Sequence, residues 1–138
     1  MYLIVCVDEK KGMLFNNRRQ SQDKTLIEHI LNKTKQSKLW INSFSESLFT
    51  DIGMKHVIVD DKFIEKINED EYCFVENIEP NMFENKIDKI ILYNWNRQYP
   101  ADKYFNIPLD KWTVESENQL SGNSHEVITE QIYVRGEN

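Results

Sequence analysis

The sequence predicts a single α/β domain over residues 1–138, with a mainly parallel central sheet flanked by helices and a C-terminal antiparallel hairpin. Tyr2–Val7 is a continuous run of apolar, largely β-branched residues, which is typical of a central strand covered on both faces. Similar runs recur along the chain and are separated by segments of helical or turn character, an order that favours a parallel sheet. The last two runs are joined by Ser121-Gly122-Asn123, a turn signal that predicts an antiparallel hairpin.

The segments between the strands follow from polarity and spacing. Asp8–Gln22 is polar and contains Gly12, so we expect a long loop there. Asp23–Gln36 has apolar residues three and four positions apart, as on one face of a helix. Ser43 with Glu46 three positions later fits a capping box, which predicts a short helix beginning at Ser43. The other predicted strands are Lys38–Asn42, Lys55–Val59, Tyr72–Val75, Lys89–Trp95, one containing Trp112 and Val114, and Glu126–Arg135, with short helical segments at Lys62–Ile67 and Pro80–Asn85.

Composition narrows the classes of function. The net charge of −6 repels phosphate backbones and argues against broad nucleic-acid binding. No segment approaches the roughly 18 apolar residues that a membrane helix needs. The apolar start lacks the basic residues and cleavage site of a signal peptide. We therefore expect a cytoplasmic protein that binds neither nucleic acid nor a membrane.

The cysteines and histidines give no sign of a metal site. Cys6 and Cys73 each lie in an apolar strand-like run, which favours two buried thiols, with one disulfide as the alternative. His29, His56 and His125 are scattered and lack the paired spacing of zinc ligands. No metal is expected.

Three segments, Lys86–Phe105, Asn123-Ser124-His125 and residues 5–13, resemble parts of dihydrofolate reductases. Lys86–Phe105 is similar to a strand of that family followed by its acidic segment, which Asp102 and Phe105 match. Asn123-Ser124-His125 resembles the short segment before the family's last strand, and residues 5–13 (VCVDEKKGM) resemble its first strand and the start of its active-site loop. With the order of elements, the resemblance covers nearly the whole chain. It implies the dihydrofolate reductase fold and, for a typical member, reduction of dihydrofolate by NADPH.

The resemblance makes Asp23 the candidate catalytic residue. The family has an acidic residue early in its first helix that pairs with the pterin ring, and Asp23 falls at that place. Ile27 and Ile30 lie four and seven residues on, so Asp23 shares their apolar face, where a carboxylate can support proton transfer. The alternative is that Asp23 only caps the helix, since Asp is a favoured N-cap residue.

The cofactor motifs depart from the family pattern. Where the family has Gly-Arg-x-Thr to receive phosphates, this chain has Asn42-Ser43-Phe44-Ser45, in which only the Ser45 hydroxyl corresponds. Where the family has a glycine pair, this chain has Val75-Glu76-Asn77, and Glu76 adds negative charge near a diphosphate. Asp60–Glu71, in the region that holds adenosine, is short, and Met54 stands where an arginine clamps the substrate carboxylate. No cofactor is expected, with NADPH as the alternative.

The loop before the first helix carries the other candidate ligand-binding residues. Asn17, Arg18 and Arg19 follow one another, and adjacent arginines with amides can bind an anion through charge-assisted hydrogen bonds. We predict that they form a polar site with Asp23 that opens onto the cleft, with Asn42 opposite. A solvated loop, or arginines neutralised by the protein's own acids, is the alternative. Ser45 and Tyr93 complete the predicted set of ligand-binding residues.

Two functions remain open at the level of sequence. In the first, the chain has lost folate reduction and binds a small, anionic ligand or a protein partner through the old cleft. In the second, it is an active NAD(P)H-dependent reductase of dihydrofolate or a related substrate with an altered site. The sequence does not name the ligand, the partner or the oligomeric state.

Overall fold

The computed structural model describes residues 1–49 and 55–136, which form a seven-stranded mixed sheet and a smaller three-stranded sheet. The strands are β1 (Tyr2–Val7), β2 (Gly12–Phe15), β3 (Arg18–Arg19), β4 (Leu39–Ile41), β5 (Val57–Val59), β6 (Tyr72–Phe74), β7 (Lys89–Asn94), β8 (Lys103–Tyr104), β9 (Trp112–Leu120) and β10 (Ile128–Arg135). The α-helices are α1 (Lys24–Thr34) and α2 (Glu46–Phe49), and 3₁₀ segments lie at Ser43–Ser45, Phe63–Glu65, Pro80–Lys86 and Leu109–Lys111.

The main sheet confirms the predicted fold class. Its strand order is β5-β4-β6-β1-β7-β10-β9, so β1 is central. The strands from β5 to β7 pair in parallel, whereas β10 runs antiparallel to both β7 and β9. Because the carboxyl ends of the parallel strands meet at one edge of the sheet, the segments that follow β1, β4 and β6 are brought together there.

Apolar side chains form a separate core on each face of the main sheet. On one face α1 packs Leu26, Ile30 and Leu31 against residues such as Ile4 and Phe74. The other face is covered by shorter segments, with the buried side chains of Phe63 and Phe83 among those that seal it. No helix in the described ranges is both long and apolar enough to span a bilayer.

The two cysteines face opposite sides of the sheet. Cys73 belongs to the core beneath the short segments, whereas Cys6 packs against the core beneath α1. Both are free thiols. Burial raises the pKa of Cys6, and it raises that of Cys73 to about 12. Each side chain points away from the other across the sheet, so a disulfide between them would require a rearranged backbone.

The prediction that Asp8–Gln22 is one long loop is wrong. Within it, β2 and β3 form a hairpin, and β8 adds a third strand to make the small antiparallel sheet. The hairpin turns at Asn16 and Asn17, whose φ angles are 53° and 60°. Two consecutive residues with positive φ are typical of a tight hairpin turn, and asparagine tolerates that conformation. The amide of Asn16 also donates to Asp102 at 3.0 Å, which ties the turn to the segment before β8.

Several predicted bounds also shift. The helix predicted from Asp23 has Asp23 as its N-cap and ends at Thr34. The capping box predicted at Ser43 is wrong, because Asn42 is the cap and its side chain accepts from the Ser45 amide. The backbone amide and the hydroxyl of Ser43 instead donate to the carboxylate of Asp61, at 2.7 and 3.1 Å. The helical segments predicted at Lys62–Ile67, after β5, and at Pro80–Asn85, before β7, are 3₁₀ turns.

Gly12 is packed too closely to accept a side chain. A Cβ atom at this position would lie 2.6 Å from Cβ of Ala101 and 2.9 Å from a carboxylate oxygen of Asp8. We expect Gly12→Ala to lower the free energy of unfolding by about 1–3 kcal/mol, as overpacking does. Urea unfolding measures the change, with exposed Glu9→Ala as the control, for which a change within about 0.5 kcal/mol is expected. Equal stabilities of the two variants would contradict the packing at Gly12.

Candidate functional site

A small chamber lies between α1 and the main sheet. Its volume is about 20 Å³, and the lining includes Cys6, Ser21, Asp23, Glu76 and Trp95. That volume accommodates about one water molecule. The carboxyl ends of β1 and β6 supply its floor, so the chamber occupies the edge of the sheet at which α/β proteins commonly bind ligands.

A larger groove opens beside the chamber, between α1 and α2. Its volume is about 790 Å³, within the range of about 300–1,000 Å³ that is usual for small-molecule pockets. Lys24 and Glu28 place charges of opposite sign along it. The groove and the chamber share four lining residues, which are Gln22, Asp23, Ile27 and Leu48. A molecule bound in the groove would therefore lie against the entrance of the chamber.

A partly buried ion pair occupies one wall of the chamber. The guanidinium of Arg19 donates to both carboxylate oxygens of Glu76, at 2.9 and 3.0 Å. The Ser45 hydroxyl donates to the same carboxylate at 2.6 Å, and Arg19 also donates to the carbonyl of Phe44 at 3.2 Å. The hydrogen bond with Glu76 raises the pKa of Arg19 against the opposing effect of burial. Arg19, Ser45 and Glu76 therefore form a mutually satisfied polar network.

The segments after β4 and β6 are also joined directly. Asn42 is buried, and its amide donates to the side-chain oxygen of Asn77 at 2.8 Å. The other end of the Asn42 side chain caps the Ser43–Ser45 turn. Five residues stand at the positions where the cofactor motifs depart from the family pattern, and they lie together. Four of them are engaged in contacts with one another or with Arg19. The five residues are Asn42, Ser43, Ser45, Glu76 and Asn77, of which Ser43 is exposed and bound to Asp61.

Asp23 is buried at the start of α1 and accepts hydrogen bonds from several donors. One carboxylate oxygen accepts from the amides of Leu26 and Asn123, both at 3.1 Å. The other accepts from the amide and hydroxyl of Ser124, at 2.9 and 3.1 Å, and lies 3.1 Å from Nδ1 of His125. Burial alone would raise the pKa of Asp23, but these hydrogen bonds outweigh it and hold the pKa well below its usual range. Asp23 is both a helix cap and a wall of the chamber.

His125 is a member of this cluster that the sequence did not single out as a site residue. Its ring is 3% exposed and stacks on Trp95, with a centroid separation of 4.5 Å. Its Nε2 lies 3.0 Å from the Ser21 hydroxyl and 3.3 Å from the Tyr99 hydroxyl. The resemblance at Asn123-Ser124-His125 was a signal that pointed to this segment. The pairing of His125 with Asp23 was not predictable from it, because the two residues are 102 positions apart in the sequence.

One polar atom at the chamber has no protein partner among the described residues. The amide nitrogen of Gln20 donates to Asp8 and to the carbonyl of Pro100, both at 3.2 Å. These acceptors fix the orientation of the amide, so its oxygen points the other way, where it is buried and receives no hydrogen bond. Gln20 is also one of the residues that line the chamber.

The remaining candidate residues lie outside the chamber. Asn17 and Arg18 are exposed in and beside the hairpin turn. Tyr93 is fully buried beneath α1, where its hydroxyl donates to Glu130 at 2.8 Å. Met54, at the position that the resemblance assigns to a clamping arginine, lies outside the described residues. Of the residues predicted to form the polar loop site, Arg19 and Asp23 line the chamber. Asn42 does not line it and caps the Ser43–Ser45 turn.

Comparison with known proteins places this fold. No protein-family model and no curated protein matches the sequence. A solved structure of dihydrofolate reductase from Enterococcus faecalis, complexed with NADP(H) and RAB-propyl, is similar to this chain with a TM-score of 0.68. The match covers 99% of this chain and 96% of that protein at 10% sequence identity. The chain therefore has a dihydrofolate-reductase-like α/β fold.

Proposed function

We propose that this chain is a divergent dihydrofolate-reductase-like protein that has lost NADPH-dependent folate reduction and binds a small molecule in the groove between α1 and α2. The observation that carries the proposal is the Glu76 network. The resemblance puts the family's glycine pair at residues 75–77, where this chain has a buried carboxylate bound by Arg19 and Ser45. We also propose, from the sequence, a cytoplasmic location.

The residues around Glu76 do not fit NADP(H). A diphosphate brought close to them would meet the negative charge of Glu76, and like charges in a partly buried site repel strongly. Arg19, the nearest cation, already uses two donors on that carboxylate. A chamber of about 20 Å³ also leaves no room for a nicotinamide or pterin ring without movement of its walls.

The groove supports the second half of the proposal. Its volume suits a small molecule, and Ile27 and Leu48 offer apolar surface beside polar groups of Gln22 and Asn123. Lys24 is an exposed cation in the lining of the groove and can contact an anionic group of the ligand, while Glu28 can contact a cationic one. The alternative of an active reductase is supported by the position of Asp23 at the chamber wall, as the resemblance implies.

A turnover assay separates the two functions. We expect no saturable oxidation of NADPH with dihydrofolate, and no change in the melting temperature with NADPH or NADH. An authentic dihydrofolate reductase serves as the positive control. Saturable turnover that disappears in Asp23→Asn would contradict the loss of reduction and establish the reductase.

A thermal-shift screen of small carboxylates and phosphates tests the groove. A ligand at 100 times its Kd should stabilise the protein by about 2.7 kcal/mol. Ser47→Trp, which fills the groove from α2, should abolish the shift, whereas Glu46→Trp on the neighbouring exposed position should retain it. A shift that survives Ser47→Trp would place the ligand elsewhere.

A further inference from the structure

Three side chains on the chamber side of α1 form a continuous hydrogen-bonded line. The Ser21 hydroxyl lies 3.0 Å from Nε2 of His125, and Nδ1 of the same ring lies 3.1 Å from the carboxylate of Asp23. His125 and Asp23 are buried, whereas Ser21 is partly exposed. The tautomer with its proton on Nδ1 satisfies both contacts, because His125 then donates to Asp23 and accepts from Ser21.

We propose that Ser21, His125 and Asp23 are a nucleophile, a general base and its orienting acid, and that the protein cleaves small carboxylic esters that enter through the groove. A serine is activated when a base lies within hydrogen-bond reach and a third group orients that base. Both relations are present here, and the proposal goes beyond ligand binding in the groove.

The surroundings of Asp23 suit the orienting role. Four donors from Leu26, Asn123 and Ser124 hold its carboxylate in place, so it is rigid and remains charged. A fixed carboxylate stabilises the imidazolium that forms when the base takes a proton. The stacked indole of Trp95 holds the plane of the His125 ring and also attracts the cationic form of the ring.

Access to Ser21 follows from the adjoining cavities. Ser21 lines the chamber, and its neighbours Gln22 and Asp23 line both the chamber and the groove. An ester lying in the groove can thus present its carbonyl at the chamber entrance while its acyl group contacts Ile27 and Leu48. The chamber itself, at about 20 Å³, is too small to hold more than the reacting group.

The reaction balances without a cofactor. The Ser21 oxygen forms a bond to the ester carbonyl carbon, and its proton passes to Nε2 of His125. The bond to the leaving alkoxide breaks, and the alkoxide takes that proton to leave as an alcohol. Water then gives a proton to His125, attacks the acyl-serine and releases the acid, and the proton returns to Ser21. The Tyr99 hydroxyl lies 3.3 Å from Nε2, and in the proposed reaction it would be the candidate donor to the oxyanion.

Intact-mass spectrometry after incubation with a fluorophosphonate tests the nucleophile. The expected result is one adduct, formed by bonding of the Ser21 oxygen to phosphorus with loss of HF and mapped to Ser21 by peptide sequencing. Hydrolysis of p-nitrophenyl acetate should be lost on treatment. This probe needs neither NADPH nor the ligand of the groove, so its outcome is independent of the proposed function.

Three variants complete the test. Ser21→Ala and His125→Gln should each lower the labelling rate and the esterase rate by more than tenfold, while exposed Ser121→Ala should leave both unchanged. Melting temperatures establish that Ser21→Ala, which loses one hydroxyl, is folded. An absent adduct, an adduct on another residue, or equal labelling of wild type and His125→Gln would each overturn the proposal.

Discussion

Replacing Arg19 by alanine is expected to lower the free energy of unfolding by about 3 kcal/mol, because it leaves the Glu76 carboxylate buried without its cation. Only 23% of the Arg19 side chain and 9% of the Glu76 side chain are exposed, so water replaces the lost contacts poorly. Among the described residues, the Ser45 hydroxyl would then be the one side-chain donor left to that carboxylate. Urea unfolding at pH 7 measures the change.

Arg18 provides the matched control. It precedes Arg19 but is exposed, and none of the described residues forms an ion pair with it. Arg18→Ala should therefore change stability by no more than about 0.5 kcal/mol. A small effect at both positions would mean that Arg19 is available to a ligand, as the open loop site predicted from the sequence requires.

A double-variant cycle separates the ion pair from packing. Arg19→Met keeps an unbranched aliphatic side chain beside Phe44, over whose ring the Arg19 guanidinium carbon lies 5.3 Å from the centroid. Combined with Glu76→Gln, it removes both charges and leaves groups of similar shape. We expect the double variant to be more stable than Arg19→Met alone, because no unpaired charge remains. If the two single changes simply add, the pair contributes no coupling energy.

The parts of the fold that the sequence predicted are those with strong local patterns. The apolar run of Tyr2–Val7 and the terminal strands around a turn have short-range signals, and the sheet topology follows from the order of elements. The β2–β3 hairpin was missed although Asn16-Asn17 is a turn signal, because its strands are short and polar residues surround them.

The candidate site was harder to predict because its contacts join distant segments. Arg19 and Glu76 are 57 residues apart, so no local pattern distinguishes an ion pair from an open anion site. The loop arginines looked equivalent, but alternation of side chains along β3 directs Arg19 inward and leaves Arg18 exposed. The sequence left two roles open for Asp23, a catalytic acid and a helix cap. Its position is compatible with both, since it caps α1 and lines the chamber.

Asp23→Asn is expected to lower the free energy of unfolding by about 3 kcal/mol at pH 7, since several hydrogen bonds to one buried charge are weakened together. An amide nitrogen cannot accept a hydrogen bond. In one orientation the asparagine therefore loses both contacts from Ser124, and in the other it loses those from the amides of Leu26 and Asn123. Exposed Asp110→Asn is the control and should change stability by less than about 0.5 kcal/mol.

The same carboxylate should make stability depend on pH. The pKa of Asp23 is lower in the folded protein than the value of about 3.9 in unfolded chains, so its contribution is fully present above that value and is lost as pH falls toward the folded pKa. Glu130 acts in the same direction. Burial would raise its pKa, but contacts with His29, Tyr93 and Lys33 lower it to about 2.

Urea unfolding at pH 7, 5, 4 and 3 tests this dependence. The wild type should lose stability below about pH 4, where unfolded carboxylates take up protons first. Asp23→Asn should start from a lower stability and lose less over the same range, because the asparagine does not titrate and only Glu130 and weaker contributors remain. Parallel pH profiles for the two proteins would show that the Asp23 charge does not stabilise the fold. The hydrogen bonds that hold Ser124 and His125 against α1 would then be no stronger than those of a neutral cap.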